Sequence, residues 1–587
     1  MMDNKKDFRI IIVFLISLTS LLSAAERNKT GPSEALQPSY ELPQPAKENI
    51  DYTMYQRIRD EGLSNSHVME YASALVDGIG PRLTGSPNLK RANEWTLDQL
   101  TAMGCTNSHL EDWGEFGMGW QQLNTWVRMT SPDTAVFIAQ AVPWSPSSPG
   151  PVSGQAVWVQ VKNDEDLERY KGTLAGKIVL FGDMREVSPV DKPLFQRKSE
   201  NDLAKEKEYP LTSQDEVNDV QAFKRSQERR NATMRFFASE KVLAVIFPSR
   251  DGEDSGGSGG TIFVDHRNLP WWSYQRDDAL PVPVVVVAIE NYGRVFRLLK
   301  SNVPVSIEMN VDTKFTGDHE HGFNVIAEIP GTDPELKEEV VMLGAHLDSW
   351  ASATGATDNG AGTVVAMEVM RIFNTLHISP RRTIRLALWG GEEEGYGSRE
   401  YVRQHFGSAP LSPAPDQVDL PEFMRKVVGP IVLKPEQQKI SGYFNLDNGT
   451  GKILGVYLQE NAAVAPIFSQ WIEPLKDIGV TTLTMRDTED TDHVSFDSVG
   501  IPGFQFIQDT MDYMSRSHHS NMDTYERLQG PDLAQAATVE AIFVYNTAMR
   551  NQMLPRKPLP HPELEEQRKG ALRNLMPLAR NPVKDAK

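Results

Sequence analysis

The chain has 587 residues, too many for one ordinary core, so roughly two or three domains are expected. Its formal net charge of -19 argues against nucleic acid as a partner, because phosphate binding wants a basic face. A single cysteine, Cys105, excludes an intrachain disulfide and a cysteine-based metal site, so any metal must sit on histidine and carboxylate.

Residues 1–25 read as a signal peptide. Lys5, Lys6 and Arg9 precede an apolar run over 10–22, and Ser23-Ala24-Ala25 offers a small-residue cleavage site. That run is short against the roughly 20 residues a membrane helix needs. An exported protein, periplasmic or secreted, with no stable membrane anchor after cleavage, is the expectation. Residues 26–50 are a polar leader. Residues 51–104 carry helical periodicity on either side of the turn-rich GPRLTGSP. Strand-like pieces (LNTWVRMT, TAVFIAQAV) follow. Over 136–315 the short β runs GQAVWVQV, GKIVLFGD, VLAVIFPS and VPVVVVAIE predict a separate, mainly-β domain inserted into the main one. A charged helical insertion near 185–230 suggests a lid, and DGEDSGGSGG reads as a flexible loop.

From 316 to 555 strand and helix patterns alternate, which predicts an α/β sheet with helices on its faces. The strands fall at 324–329, 340–347, 383–389, 441–446, 453–458 and 503–507. The helices fall at 360–374, 398–406, 462–475 and 532–549. Residues 26–135 and 316–555 together form this main domain. A charged, proline-rich tail occupies 556–587.

The chemistry gathers in the second half. VVMLGAHLDSW is an apolar run with His346 near its end, and Asp348 lies two positions on, so both side chains point to one side of an extended chain. A carboxylate beside an imidazole fixes its tautomer and raises its basicity. Asp358 sits in the glycine-flanked turn DNGAG, which opens a helical pattern. The run TIRLALW ends in Gly390-Gly391 and the glutamates 392–394. Asp447 ends the strand-like SGYFNLD, and His519 lies in SRSHHSNMDTYERL. A two-metal hydrolase needs a bridging carboxylate, further histidine and acidic ligands, and a nearby base. Any one of these residues is more often a turn, cap or surface residue, but together they are hard to explain as coincidence.

With GPRLTGSP, NVIAEIPG, GAHLDSW, TDNGAG, LWGGEE, YFNLDNGTG, TDHVSFDSVGIPGFQFIQD and HHSNMDTYERL in order, the chain resembles the co-catalytic zinc exopeptidases. These include bacterial leucyl aminopeptidases and the plasma glutamate carboxypeptidase-like branch. The resemblance implies a mixed central sheet with helices on both faces, plus an inserted protease-associated domain at 136–315. It implies two zinc ions per chain. His346 and Asp447 would hold one, Glu393 and His519 the other, and Asp358 would bridge them. Glu392 would be the general base acting on a metal-bridging water, and Asp348 would orient His346. The bond from Asp358 to Asn359 is expected to be cis. EEEGYGS is shorter than usual in this family, so the glutamate pair is either Glu392-Glu393 or Glu393-Glu394. Asp523 is the expected carboxylate behind His519, and Asp492 with His493 is expected on the pocket rim.

Substrates are then short peptides or dipeptides, read from either end, with a homodimer as one arrangement. A catalytically silent binding protein or a glutaminyl cyclase on the same fold are the alternatives. His319 and His321 (DHEHGF) could suggest a metal clip, though a polar linker is the plainer reading. Trp271-Trp272 could stack on a ligand or serve as an interdomain contact.

Overall fold

A computed structural model describes residues 44–562, apart from 164, 209–219, 253–255, 266–272, 419, 421 and 490. The signal peptide, Trp271-Trp272 and most of the tail lie outside the described residues. Helix α1 (Tyr52–Ser64) starts at Asp51, whose side chain accepts from the Met54 N–H. Helix α2 (Pro87–Ala102) starts at Ser86, which accepts from the Leu89 N–H, with a proline in its first turn. Strand β1 (Thr106–Ser131) is far longer than its expected pieces. Short strands follow: β2 (Ala139–Ala141), β3 (Val152–Val159), β4 (Ile178–Phe181), β5 (Ala244–Pro248) and β6 (Val284–Val287). Helix α3 (Val220–Ser239) precedes β5, and α4 (Ile289–Lys300) follows β6. Strand β7 (Ser306–Ile329) then runs back along β1 in a long antiparallel ribbon.

The main sheet is completed by β8 (Val340–His346), β9 (Thr383–Trp389), β10 (Ile440–Asn445), β11 (Ile453–Tyr457), β12 (Thr482–Thr484) and β13 (Gly503–Gln508). Helices α5 (Ala361–Thr375), α6 (Ser398–His405) and α7 (Gly530–Met549) cover it. Strand order is β12-β11-β13-β10-β8-β9-β7-β3-β4-β5-β6-β2. Strands β9, β8, β10 and β13 are parallel to their neighbours in that run, whereas β7 and β11 pair antiparallel, so the sheet is mixed, as expected. One end of β7 pairs with β9 and the other with β3, so a single strand carries the sheet from one lobe into the next.

The alternation of β8 shows why its sequence is apolar throughout. Val341 and Leu343 enter a core with α1, α5 and α7, while Val340 and Met342 enter a second core with α6. The segment expected to be mainly β has an α/β layout in the described residues. Strands β3 to β6 are parallel, and parallel neighbours need crossover connections, one of which is α3. At the start of the tail Arg556 is buried and donates to the carbonyls of Gln437 and Ile440.

Helix α7 is buried almost all round, and Phe543 on it meets Phe444, Phe468, Trp471 and Phe506 edge-on. Truncating a fully buried phenylalanine removes its transfer free energy and leaves a cavity. Phe543→Ala is expected to lower the unfolding free energy of this domain by about 3–5 kcal/mol in urea titrations. A loss below about 1 kcal/mol would show that this aromatic cluster does not hold the helix to the sheet.

Candidate metal centre

Register brings the strand ends level. His346 pairs with Trp389 across β8 and β9, and the Leu347 N–H donates to the Trp389 carbonyl at 2.6 Å. On the other side of β8, Asn445 of β10 pairs with Gly344, and Asp447 lies just beyond. Asp358 stands at the entrance to α5. There the Asn359 side chain donates to the Leu446 carbonyl and accepts from the Gly362 N–H, each at 2.9 Å. Gly362 is required for this approach, since a Cβ would lie 2.2 Å from the Leu446 oxygen. The Asp358–Asn359 peptide bond is cis, as the resemblance implied.

The five expected ligands meet. His346 Nε2 is 3.4 Å from Asp358 Oδ1 and 3.3 Å from Asp447 Oδ1. His519 Nε2 is 3.3 Å from Asp358 Oδ2 and 3.0 Å from Glu393 Oε2. Asp358 thus lies between two half-sites, and Glu393, rather than Glu394, stands beside His519. His518 Nε2 is farther from Asp358, at 3.9 Å. A resident metal fits this set. The donor atoms of His346, Asp358 and Asp447 lie within 4.8 Å of one another. Asp358 Oδ2, Glu393 Oε1 and Asp447 Oδ1 are buried with no hydrogen-bond partner, which a cation would supply. Imidazole with carboxylate and no thiolate is a donor set that zinc takes.

The surrounding groups set these positions. Asp348 is fully buried, and its carboxylate accepts from the backbone N–H groups of Glu392 and Glu393 and from the Thr84 hydroxyl, all at 3.2 Å. Its Oδ1 is 3.6 Å from His346 Nδ1, which lies closer to the Asp348 carbonyl, at 3.2 Å. Asp348 therefore holds the glutamate pair at least as firmly as the histidine. Asp447 accepts from Thr491 at 2.6 Å, and Thr491 accepts from Asn445, which also receives the Tyr443 hydroxyl. Trp350 Nε1 donates to Glu393 Oε2 at 2.6 Å. Sequence reasoning passed over Trp350, although it ends the GAHLDSW motif.

Two expectations are corrected. Asp523 does not back His519. It accepts from the Thr357 N–H, the Thr357 hydroxyl and the Asp358 N–H, and so fixes the turn that presents Asp358. The carboxylate beside His519 Nδ1 is Asp265, at 3.3 Å. His493 is not on a rim: it is fully buried and bonded through Nε2 to Gln459 and the Thr488 carbonyl. His319 and His321 are exposed within β7 and paired with Glu115 and Asp112 of β1. The glycine-rich loop is tightly docked where it is described: a Cβ on Gly256 would lie 1.3 Å from the Ser515 carbonyl oxygen.

Charge is unevenly shared. Burial pushes Glu392 well above the usual carboxylate range, and Asp492, Asp447 and Glu393 add to it against the pull of His346. Burial raises Glu393 to about 7 and Asp492 to about 8. Asp358 is held low despite its burial, by the hydrogen bond from His346 and the charges of His519 and His518. Burial opposes a charged His346, yet Asp447 and Glu392 outweigh it and raise its pKa. Such spreading of like groups marks sites of proton transfer or metal binding.

Comparison with known proteins places the segment that carries these residues among known peptidases. Residues 324–544 match the model of Peptidase family M28. Carboxypeptidase Q of Bos taurus is 25% identical over 87% of this chain and 90% of its own length. Leupeptin-inactivating enzyme 1 of Streptomyces exfoliatus is 30% identical over 32% of this chain and 36% of its own. A solved Peptidase M28 precursor from Shewanella amazonensis shares the fold, with a TM-score of 0.59 at 21% identity over 87% of this chain and 98% of its own. The segment that carries the candidate centre thus matches Peptidase family M28, in keeping with the zinc exopeptidases that its motifs resemble.

Proposed function

We propose that this chain is an exported di-zinc exopeptidase that hydrolyses short peptides or dipeptides. The observation that carries the reading is the pair of half-sites sharing Asp358, with buried, unpartnered carboxylate oxygens turned to the same space. His346 and Asp447 would hold one zinc and Glu393 and His519 the other, with Asp358 shared between the two sets. When bound, the two ions supply Lewis acidity and a water acidic enough to lose its proton near neutral pH. Glu392 would be the base that takes the proton of the attacking water on its carboxylate and passes it to the leaving amine. Asp348 fixes the backbone that presents Glu392 and Glu393, so base and ligand move as one unit. Export rests on residues 1–25.

The inserted segment serves as a lid in this reading. Residues beyond β4 lie across the main domain: Gln196 pairs with Met511, and Arg197 Nη1 stands 2.7 Å from both Asp509 and Asp532. One relative is named for inactivating leupeptin, a small peptide, which suits a covered cleft.

Two experiments test this. A matched peptide set, with free termini, N-acetylated and C-amidated, is expected to be cut with zinc and spared with chelator. Loss on acetylation alone marks an aminopeptidase, loss on amidation alone a carboxypeptidase, and loss on both a dipeptidase. Glu392→Gln is expected to keep its zinc and lose about 10²–10⁴-fold in kcat. No cleavage across a broad zinc-loaded set would refute the peptidase reading. For the lid, Arg197→Ala, which removes both ion pairs, is expected to shift the preference toward longer peptides; an unchanged length profile removes that role from the segment.

A further inference from the structure

The loop over 249–265 belongs to the inserted lobe, yet it is built into the rim of the candidate centre. Ser249 and Pro248 leave β5, and the loop returns along residues 519–521 in an antiparallel pairing. Phe263 bridges Ser520, the Val264 N–H donates to the His519 carbonyl at 3.1 Å, and the Asn521 N–H donates to the Ile262 carbonyl at 2.9 Å. The Asn521 side chain locks the register, accepting from the Ile262 N–H at 2.7 Å and donating to the Gly260 carbonyl at 3.2 Å. Gly256 lets the loop lie directly against the Ser515 backbone.

Asp265 comes at the end of this pairing. Its side chain is fully buried, with Oδ2 at 3.3 Å from His519 Nδ1 and 2.8 Å from Arg250 Nη2. His519 turns its other nitrogen, Nε2, toward Glu393 and Asp358. A carboxylate on one imidazole nitrogen leaves the other nitrogen as a lone-pair donor and fixes the ring plane. Arg250 lies over the Phe263 ring at 4.5 Å, so the cation that steadies Asp265 is itself held by the same loop.

We propose that Asp265 is a positioning residue for His519, so that the inserted lobe completes one of the two metal half-sites. This rests on the metal-centre reading above. The Asp265 carboxylate fixes the tautomer in which Nε2 is free to bind, and Arg250 fixes the carboxylate.

The test is stepwise zinc affinity by competition with a chromophoric chelator, on the full chain, beside thermal unfolding of the metal-free protein. Wild type is expected to bind two zinc ions. Asp265→Asn is expected to weaken one of them by about 10–100-fold, with the other and the metal-free Tm unchanged. Two wild-type affinities in Asp265→Asn overturn the proposal. So does an equal loss at both sites with a lower metal-free Tm, because that is the mark of a general structural role. Should Asp265→Asn not fold, Arg250→Gln carries the test: a several-fold loss at one site supports the proposal, and unchanged affinities overturn it. A wild-type chain that binds no zinc would instead sink the metal-centre reading, which keeps the two failures distinct.

Discussion

The main domain is organised around a crowd of buried carboxylates. Asp348, Asp358 and Asp523 are buried, Glu393 and Asp447 each keep a buried oxygen without a hydrogen-bond partner, and Glu392 lies near enough to Asp492, Asp447 and Glu393 for their charges to act on it. Removing an ionised carboxylate from water costs several kcal/mol unless it is paired. Such a site can exist only where each acid has its own answer to that cost. Asp348 and Asp523 are answered by backbone N–H groups, Asp447 in part by Thr491, and Asp358 by histidines on both sides. Asp358 Oδ2, Glu393 Oε1 and Asp447 Oδ1 are left without a hydrogen-bond partner on the residues around His346 and His519, and the buried carboxylates of Glu394, Asp492 and Glu540 are left so as well.

The parallel sheet is what makes this crowding affordable. Carboxyl ends of adjacent parallel strands bring several chain segments to one edge, each leaving the sheet with free N–H groups. Thus Asp348, leaving β8, captures the backbone of the segment leaving β9, and Asn359 ties the entrance of α5 to the segment leaving β10. The ligands are therefore held by neighbouring strand ends rather than by flexible side-chain contacts alone. Preorganisation of this kind keeps like charges close without reorganisation at the moment of reaction.

What the sequence made legible follows from how local each signal is. The strands at 340–347 and 383–389 and the helix entered through DNGAG are apolar runs with turn punctuation, and the structure reproduces them to within a residue or so. The β1–β7 ribbon was fragmentary in the sequence because glycines 114, 117 and 119 and several register shifts break its period-2 pattern. Asp265 was invisible for a different reason. It lies 254 residues from His519, beyond a glycine-rich stretch whose composition reads as flexible. Asp523, only four positions past His519, looked the better partner, but its hydrogen bonds go to the Thr357–Asp358 turn.

The glycine-rich stretch shows how composition can point two ways. In an isolated chain, glycine raises backbone freedom. Here the absence of a Cβ at Gly256 permits contact between the loop and the Ser515 carbonyl, so glycine serves close packing instead. The same loop carries both Arg250 and Asp265, so the carboxylate arrives at His519 already accompanied by a counter-charge. An isolated aspartate delivered from another lobe would have added one more unpaired charge to a site already crowded with them. A carboxylate paired in advance adds its hydrogen bond without that cost, which is why the loop can enter the most acidic part of the molecule.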